Sequence, residues 1–334
     1  MNIAVYGSGS LGTIIGAYLS ATEHSVDLID TYDAHIDTLN KVGATVKGTT
    51  DFHINVHALK PEAITKTYDL ILLLTKQTYN STVLPMIKNI LKTDGILLSL
   101  QNGVPEELIQ QYIPKNNIIA GSVEFGATFK SPGVSALTTD FTAFKNYALQ
   151  IGELDGEITL RLKALKTILD SIGDTHLSDN LLGTKWSKLL INSTFSGLSA
   201  ALNCTYGDVL NHHLAFKIAM TILDEGIKVG HANHIKFAHM ANHPIDDFEN
   251  HNKPEKLNSF MQPSKNLEAS MLQDLRKQRQ TEINDINGLI VEIGEKVKVP
   301  TPFNQKIVDI VSTASQTNQL PVFEKSLKSL LQNV

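Results

Sequence analysis

Intrachain disulfide chemistry is excluded at the outset, because the 334-residue chain has one cysteine, Cys204. That usage fits a reducing compartment. No apolar run reaches the ~18–20 residues that a bilayer-spanning helix needs. The N-terminal apolar stretch is short and lacks the basic leader of a signal peptide. Lys and Arg number 29 against 34 Asp and Glu, and the net charge of −5 disfavours a nucleic-acid surface. Internal repeats and long low-complexity tracts are also missing. What remains is ordinary globular composition, 42% hydrophobic and 19% charged, on a chain suited to two domains. A soluble, cytoplasmic protein is expected, with no nucleic-acid or membrane partner and room for a homodimer.

The most informative stretch is MNIAVYGSGSLGTIIGAYLS. A short apolar strand over 2–6 runs into Gly7-Ser8-Gly9-Ser10-Leu11-Gly12, and a small-residue helix follows at once. Strand, G-x-G-x-x-G turn and helix form the fingerprint of a dinucleotide site. Gly7 serves the tight turn, Gly9 lets a pyrophosphate approach the backbone, and Gly12 lets the helix pack close. The helix N-terminus offers free N–H groups and a positive dipole end to phosphate.

Further apolar runs of strand length lie at 25–29, 69–75, 96–100 and 117–121, with helical patterns near 10–22, 33–42, 79–92 and 105–112. This alternation predicts an α/β fold with a parallel, doubly wound Rossmann sheet. Ligands then sit beyond the C-terminal strand ends. Asp30, Lys76 and the Gln101-Asn102-Gly103 turn follow such ends and should face the same crevice as the glycine turn. Residues 123–152 read as extra strands and turns, and a helix near 158–172 closes the first domain. From about 181 helical patterns dominate, near 181–202, 213–232, 266–296 and 303–316. The expected domains are 1–178, binding the dinucleotide, and 179–334, all-helical and catalytic, with 233–265 as an irregular insertion.

Lys188, Asn192, Ser196 and Ser199 in TKWSKLLINSTFSGLSA fall on one face of a helix. That stripe is either a solvated face or a site. A second segment, ASMLQDLRKQRQTEINDINGLI, is unusually polar and by itself reads as solvated. Taken in order, GSGSLG, TK after the third of these strands, QNG after the fourth, WSKLLIN and then MLQD…TEI-x-x-ING resemble the ketopantoate reductase family over nearly the whole chain.

The resemblance implies a Rossmann domain, an all-helical domain, and an active site in the cleft between them. It implies Lys188 as the catalytic lysine toward the carbonyl and Glu282 as the acidic active-site residue. Asn192, Ser196, Ser270 and Asn102 would contact substrate, Asn102 also lying near the nicotinamide, and Lys76 would belong to the cofactor domain. The implied reaction moves hydride from a nicotinamide to C2 of a 2-keto acid. Ser270 and Glu282, twelve positions apart, would lie about 18 Å apart on one unbroken helix. Ser270 is therefore expected at a helix start.

Two departures bear on specificity. Ser196-Gly197 stands where ketopantoate reducers carry a second asparagine and a proline, a variation that resembles relatives acting as D-2-hydroxy acid dehydrogenases on branched or aromatic 2-keto acids, with reduction of 2-dehydropantoate to pantoate as the alternative. Asp30 ends the second strand and no Lys or Arg occurs from 30 to 40. A carboxylate there suits two ribose hydroxyls and repels a 2′-phosphate, favouring NAD(H) over the family's usual NADP(H). Asp30 is otherwise a turn residue or helix cap. Five histidines between His231 and His251 lack a zinc-site arrangement, so no metal is expected. Trp186 is expected to pack. A non-catalytic dinucleotide sensor is the alternative of a different class.

Overall fold

The computed structural model describes residues 1–239, 243–250 and 252–332. The chain divides into two compact units, Met1–Leu181 and Leu182–Val334.

The first unit is built on twelve strands: β1 Asn2–Tyr6, β2 Ser25–Ile29, β3 Ala44–Gly48, β4 Phe52–Ile54, β5 His57–Leu59, β6 Tyr68–Leu73, β7 Leu91–Ser99, β8 Ile118–Val123, β9 Ala127–Ser131, β10 Val134–Leu137, β11 Leu149–Gly152 and β12 Thr175–Leu177. Eight form one sheet in the order β12-β11-β8-β7-β6-β1-β2-β5. From β5 to β8 all neighbours are parallel. Numbered within that run, the order is the 3-2-1-4-5-6 of a doubly wound dinucleotide fold, and it reverses beside β1. The β11 strand then pairs antiparallel with β8, so the far edge is mixed.

Every interior residue of β1 is buried, because both faces of the sheet are covered. Ile3 and Val5 join Leu70, Leu72 and the helix Ser10–Ser20 in one core. Ala4 and Tyr6 join Ile71, Leu73 and the helix Asn80–Ile90 in another. Continuous apolar strands are what a parallel sheet buried on both faces demands.

A second sheet, β4-β3-β10-β9, packs on the helix Ser10–Ser20 through Val46 and Leu137. Its β3 and β4, and the neighbouring β5 of the main sheet, fall at 44–59, where the sequence shows no strand pattern. They are three to five residues long, and β4 has no fully buried residue.

The second unit is helical. Its main helices are Leu181–Ile191, His213–Ala232, Ile283–Val297, Pro302–Thr317 and Phe323–Leu331, the first beginning at the unit boundary. Residues 233–265, expected to be irregular, contain a one-turn helix, Ile245–Phe248, and a helix Lys253–Met261. Phe248, Leu257 and Met261 are buried, and Lys253 pairs with Asp224 on the helix His213–Ala232. Prolines at 244 and 254 precede or open helices here rather than preventing them. Among the described residues no helix is long and apolar enough to cross a membrane.

The tightest packing in the first unit lies at Gly12, where an added Cβ would stand 2.1 Å from the Gly7 carbonyl oxygen. Main chain cannot yield as a flexible side chain can. Gly12→Ala is expected to lower the thermal midpoint and weaken dinucleotide binding at least tenfold, measured by calorimetry; unchanged binding would contradict this packing role.

Candidate active site

The strand registers gather the cofactor-side residues. Tyr6 pairs with Ile29 and with Leu73, and Leu73 pairs with Ser99. Gly7, Asp30, Thr75-Lys76 and Gln101-Asn102 therefore leave the sheet at the same edge. Gly7 takes φ +100, and both Gly7 and Ser8 donate their amides to the Ile29 carbonyl. A Cβ on Gly9 would meet nothing within 4 Å. The helix Ser10–Ser20 starts with no side-chain cap and no acid in its first turn. Its first N–H groups, from Ser10, Leu11 and Gly12, are thus left to a ligand. An open glycine, an uncapped helix start and a positive-φ turn fit a dinucleotide diphosphate.

Asp30 is tied to its own turn. Its Oδ1 accepts from the amides of Thr31 and Tyr32, and the Ser8 hydroxyl lies 3.4 Å from Oδ2. One carboxylate oxygen thus fixes the turn and the other lies beside the glycine loop. Lys60, just past β5, pairs with Asp33 at the start of the helix Asp33–Lys41. This cation is distant in sequence from Asp30, so counting along 30–40 missed it.

Lys76 precedes the short helix Gln77–Tyr79. Asn102 is fixed through its backbone, its carbonyl accepting from Gln77 Nε2 at 2.6 Å. Gln101 and Asn80 exchange reciprocal amide hydrogen bonds, and Gln101 also donates to the Thr75 carbonyl. These bonds join the ends of β6 and β7.

In the second unit, Lys188 lies on the last turn of Leu181–Ile191 and Asn192 opens a π-helical segment, Asn192–Gly197. The segment changes the α-helical register assumed for the stripe, since a π turn takes more residues. Lys188 and Asn192 are partly exposed, whereas Ser196 and Ser199 are buried. The stripe is therefore not a solvated face. Ser196 hydrogen-bonds Tyr206, whose phenol burial pushes up to about 12. Ser199 donates to the Cys204 carbonyl. These contacts give both serines packing roles.

Ser270 is the first residue of the helix Ser270–Arg276. The helix stops before Gln278, which takes φ +51, and Glu282 immediately precedes Ile283–Val297. Ser270 thus sits at a helix start and the helix is interrupted between the two residues. Both of these helices pack on Asn192–Gly197.

A buried polar chain absent from the sequence-level site supports that segment. Asn287 Nδ2 donates to the Ser193 carbonyl at 3.0 Å and to Asn304 Oδ1 at 2.9 Å. Asn304 donates to Glu225, which accepts the amides of Phe303 and Asn304 at the start of Pro302–Thr317. Burial pushes the Glu225 carboxyl up while those amides oppose it. A Cβ on Gly197 would lie 2.2 Å from Asn287 Oδ1, so residue 197 must be small for Asn287 to seat. The sequence signal was the ING after TEI.

Trp186 packs, 1% exposed and edge-on to Phe237. The neighbouring Ser187 donates to the Ala238 carbonyl. His231 Nε2 lies 2.6 Å from Glu249 Oε1 and His243 Nδ1 lies 3.1 Å from Asp247 Oδ2, so these histidines make local hydrogen bonds to carboxylates. His251 lies outside the described residues. Lys185, missed in the sequence, is buried one turn before Lys188.

Residues 3–155 match the family model described as "Ketopantoate reductase PanE/ApbA" and residues 180–315 the one described as "Ketopantoate reductase PanE/ApbA C terminal". A 2-dehydropantoate 2-reductase of Pyrococcus horikoshii is 30% identical over 91% of this chain and 94% of its own. One from Streptococcus pyogenes serotype M3 is 28% identical over 93% of this chain and 97% of its own. A solved D-mandelate dehydrogenase with NADH and anilino(oxo)acetate matches with TM-score 0.83 at 26% identity, covering 96% of this chain and all of that one.

Two outcomes follow from the second unit's geometry. Asn287→Leu leaves the Ser193 carbonyl and Asn304 without their donor, a cost of about 1–3 kcal/mol. Its unfolding midpoint should fall by about 3–10 °C, and an unchanged midpoint would contradict the chain. Asp285, on the first turn of Ile283–Val297, has its carboxyl pushed by burial up to about 6. A raised acid penalises the fold above its native pKa, and the penalty fades as pH falls toward the unfolded value of 3.8. Asp285→Asn should raise the midpoint at pH 8 and change it little near pH 4; the reverse pattern would contradict this.

Proposed function

The chain belongs to the ketopantoate reductase family, and from that premise we propose that it reduces the C2 carbonyl of 2-dehydropantoate to give pantoate. At the coarser level it is an NAD(P)-dependent oxidoreductase of that family. What carries the proposal is an open, uncapped glycine turn in the first unit and, in the second, Lys188 and Asn192 at a π-helical segment held by Asn287.

A bound nicotinamide supplies the hydride. Reduction at C2 puts negative charge on the carbonyl oxygen, and Lys188 is the donor assigned to that oxygen. Asn192, one position before the Ser193 whose carbonyl Asn287 holds, and Ser270 are the substrate contacts assigned to the second unit, and Asn102 is the one assigned to the first. Glu282 is the acidic partner in proton bookkeeping. Lys188, Asn192, Ser270 and Glu282 on one chain argue against a non-catalytic dinucleotide sensor.

The substrate assignment differs from the one Ser196-Gly197 suggested. Those residues have a packing account in the Tyr206 and Asn287 contacts. They no longer weigh toward a bulkier keto acid, and relatives 28–30% identical bear the 2-dehydropantoate name. One observation favours a second reading, a branched or aromatic 2-keto acid giving a D-2-hydroxy acid: the likeness to D-mandelate dehydrogenase. For the cofactor, Asp30 beside Ser8 supports NAD(H). Lys60 is the cation that would serve NADP(H), on release from Asp33.

An assay matrix of NADH and NADPH against ketopantoate, 2-ketoisovalerate, 2-ketoisocaproate, phenylpyruvate and benzoylformate separates these readings. The expected outcome is the highest kcat/KM with ketopantoate and NADH. Preference for an aromatic or branched acid would overturn the substrate, and more than tenfold preference for NADPH the cofactor. Lys188→Ala should lower kcat about 10²–10³-fold with cofactor binding intact; near-native kcat would remove Lys188 from the chemistry.

A further inference from the structure

His35 lies in the first turn of the helix Asp33–Lys41 and is 1% exposed. Its Nδ1 is 2.9 Å from the Gly133 amide nitrogen, on the turn between β9 and β10. Its Nε2 is 2.7 Å from the Ser8 carbonyl oxygen, inside the glycine loop. A main-chain N–H can only donate, so Nδ1 accepts and carries no proton. The neutral ring then holds its proton on Nε2 and gives it to Ser8. Burial keeps the imidazole below its ordinary range, against the opposing pull of the Ser8 carbonyl and Asp30. The Phe129 ring closes one side edge-on at 5.1 Å, and the Thr13 hydroxyl lies 3.3 Å from Nε2.

The Ser8 carbonyl and the Gly9 N–H share one peptide plane, and a trans peptide points them in opposite directions. Holding the carbonyl inward turns the Gly9 N–H outward, at the residue around which a Cβ meets nothing within 4 Å. Donation from the imidazole also polarises the peptide and strengthens that N–H as a donor. Thr13 supports the same arrangement, its hydroxyl 2.7 Å from both the Ser8 and Gly9 carbonyls.

We propose that His35 is a positioning residue for diphosphate recognition, locking the Ser8–Gly9 peptide so that the Gly9 N–H addresses the dinucleotide's diphosphate. It acts through the peptide and touches no cofactor. Its second bond makes the small sheet part of the loop's support, through Gly133. The proposal rests on the dinucleotide reading of the glycine turn, but not on the identity of the keto acid.

Calorimetric titration with ADP-ribose and NADH tests it on the full chain, with two variants. His35→Gln keeps an N–H near the Nε2 position, and His35→Asn keeps only an acceptor near Nδ1. The Gln variant should bind within about threefold of wild type, and the Asn variant about tenfold more weakly, the loss of one hydrogen bond. Native affinity in the Asn variant, or equal weakening of both, would overturn the assignment. The ¹⁵N histidine spectrum of the wild-type protein needs no variant: it should show His35 protonated on Nε2 alone at pH 7, and a proton on Nδ1 would overturn the proposal. Wild-type protein that binds neither ADP-ribose, NADH nor NADPH would overturn the dinucleotide reading along with it.

Discussion

The approach of the helix Ser10–Ser20 to the Gly7 carbonyl is the constraint on which the first unit depends. Residue 12 has no room for even a methyl group. That closeness sets the helix start directly beyond β1, where the sheet order reverses. It aims uncapped N–H groups at the strand edge where Asp30, Lys76 and Asn102 also emerge. The other side of the same helix carries the small sheet. Phosphate recognition by backbone requires a rigid loop, because its donors cannot be re-aimed by rotamers. The Ile29 carbonyl, Thr13 and His35 each remove a degree of freedom from that loop.

The second unit meets a similar demand by different means. A π-helical segment presents Asn192 just after Lys188, and π turns are weaker than α turns without outside support. Support comes from Asn287, itself held by Asn304 and Glu225. A buried carboxylate with raised proton affinity is tolerated because it caps the start of Pro302–Thr317 with two main-chain amides. Gly197 belongs to the same arrangement, which is why its departure from the family pattern reads as packing rather than as substrate choice.

Much of this was legible in the chain itself. The glycine turn, the continuous apolar strands and the change to helical periodicity near 181 all express short-range rules: turn chemistry, unbroken apolar runs and period 3.6. The helix start at Ser270 followed from a length argument. Other features were not legible. The β3–β5 strands are short and bury few residues, and they depend on partners such as β10 and β2 that sequence spacing does not reveal. The π segment has no composition signature, so Ser196 and Ser199 read as members of one stripe with Lys188 and Asn192, either solvated or functional. His35 read as an ordinary helix residue because its two partners lie 27 and 98 positions away. Helices within 233–265 were hidden by prolines that open helices instead of breaking them.

The central claim is hydride delivery to C2 of a 2-keto acid. Incubation with NADH or NADPH carrying deuterium at the transferable C4 position, and with ketopantoate, tests it most directly by mass spectrometry and proton NMR of the product. One deuterium bonded to C2 of pantoate is the predicted result. Cofactor oxidation without deuterium in the product, or no turnover of ketopantoate or any other 2-keto acid, would contradict it.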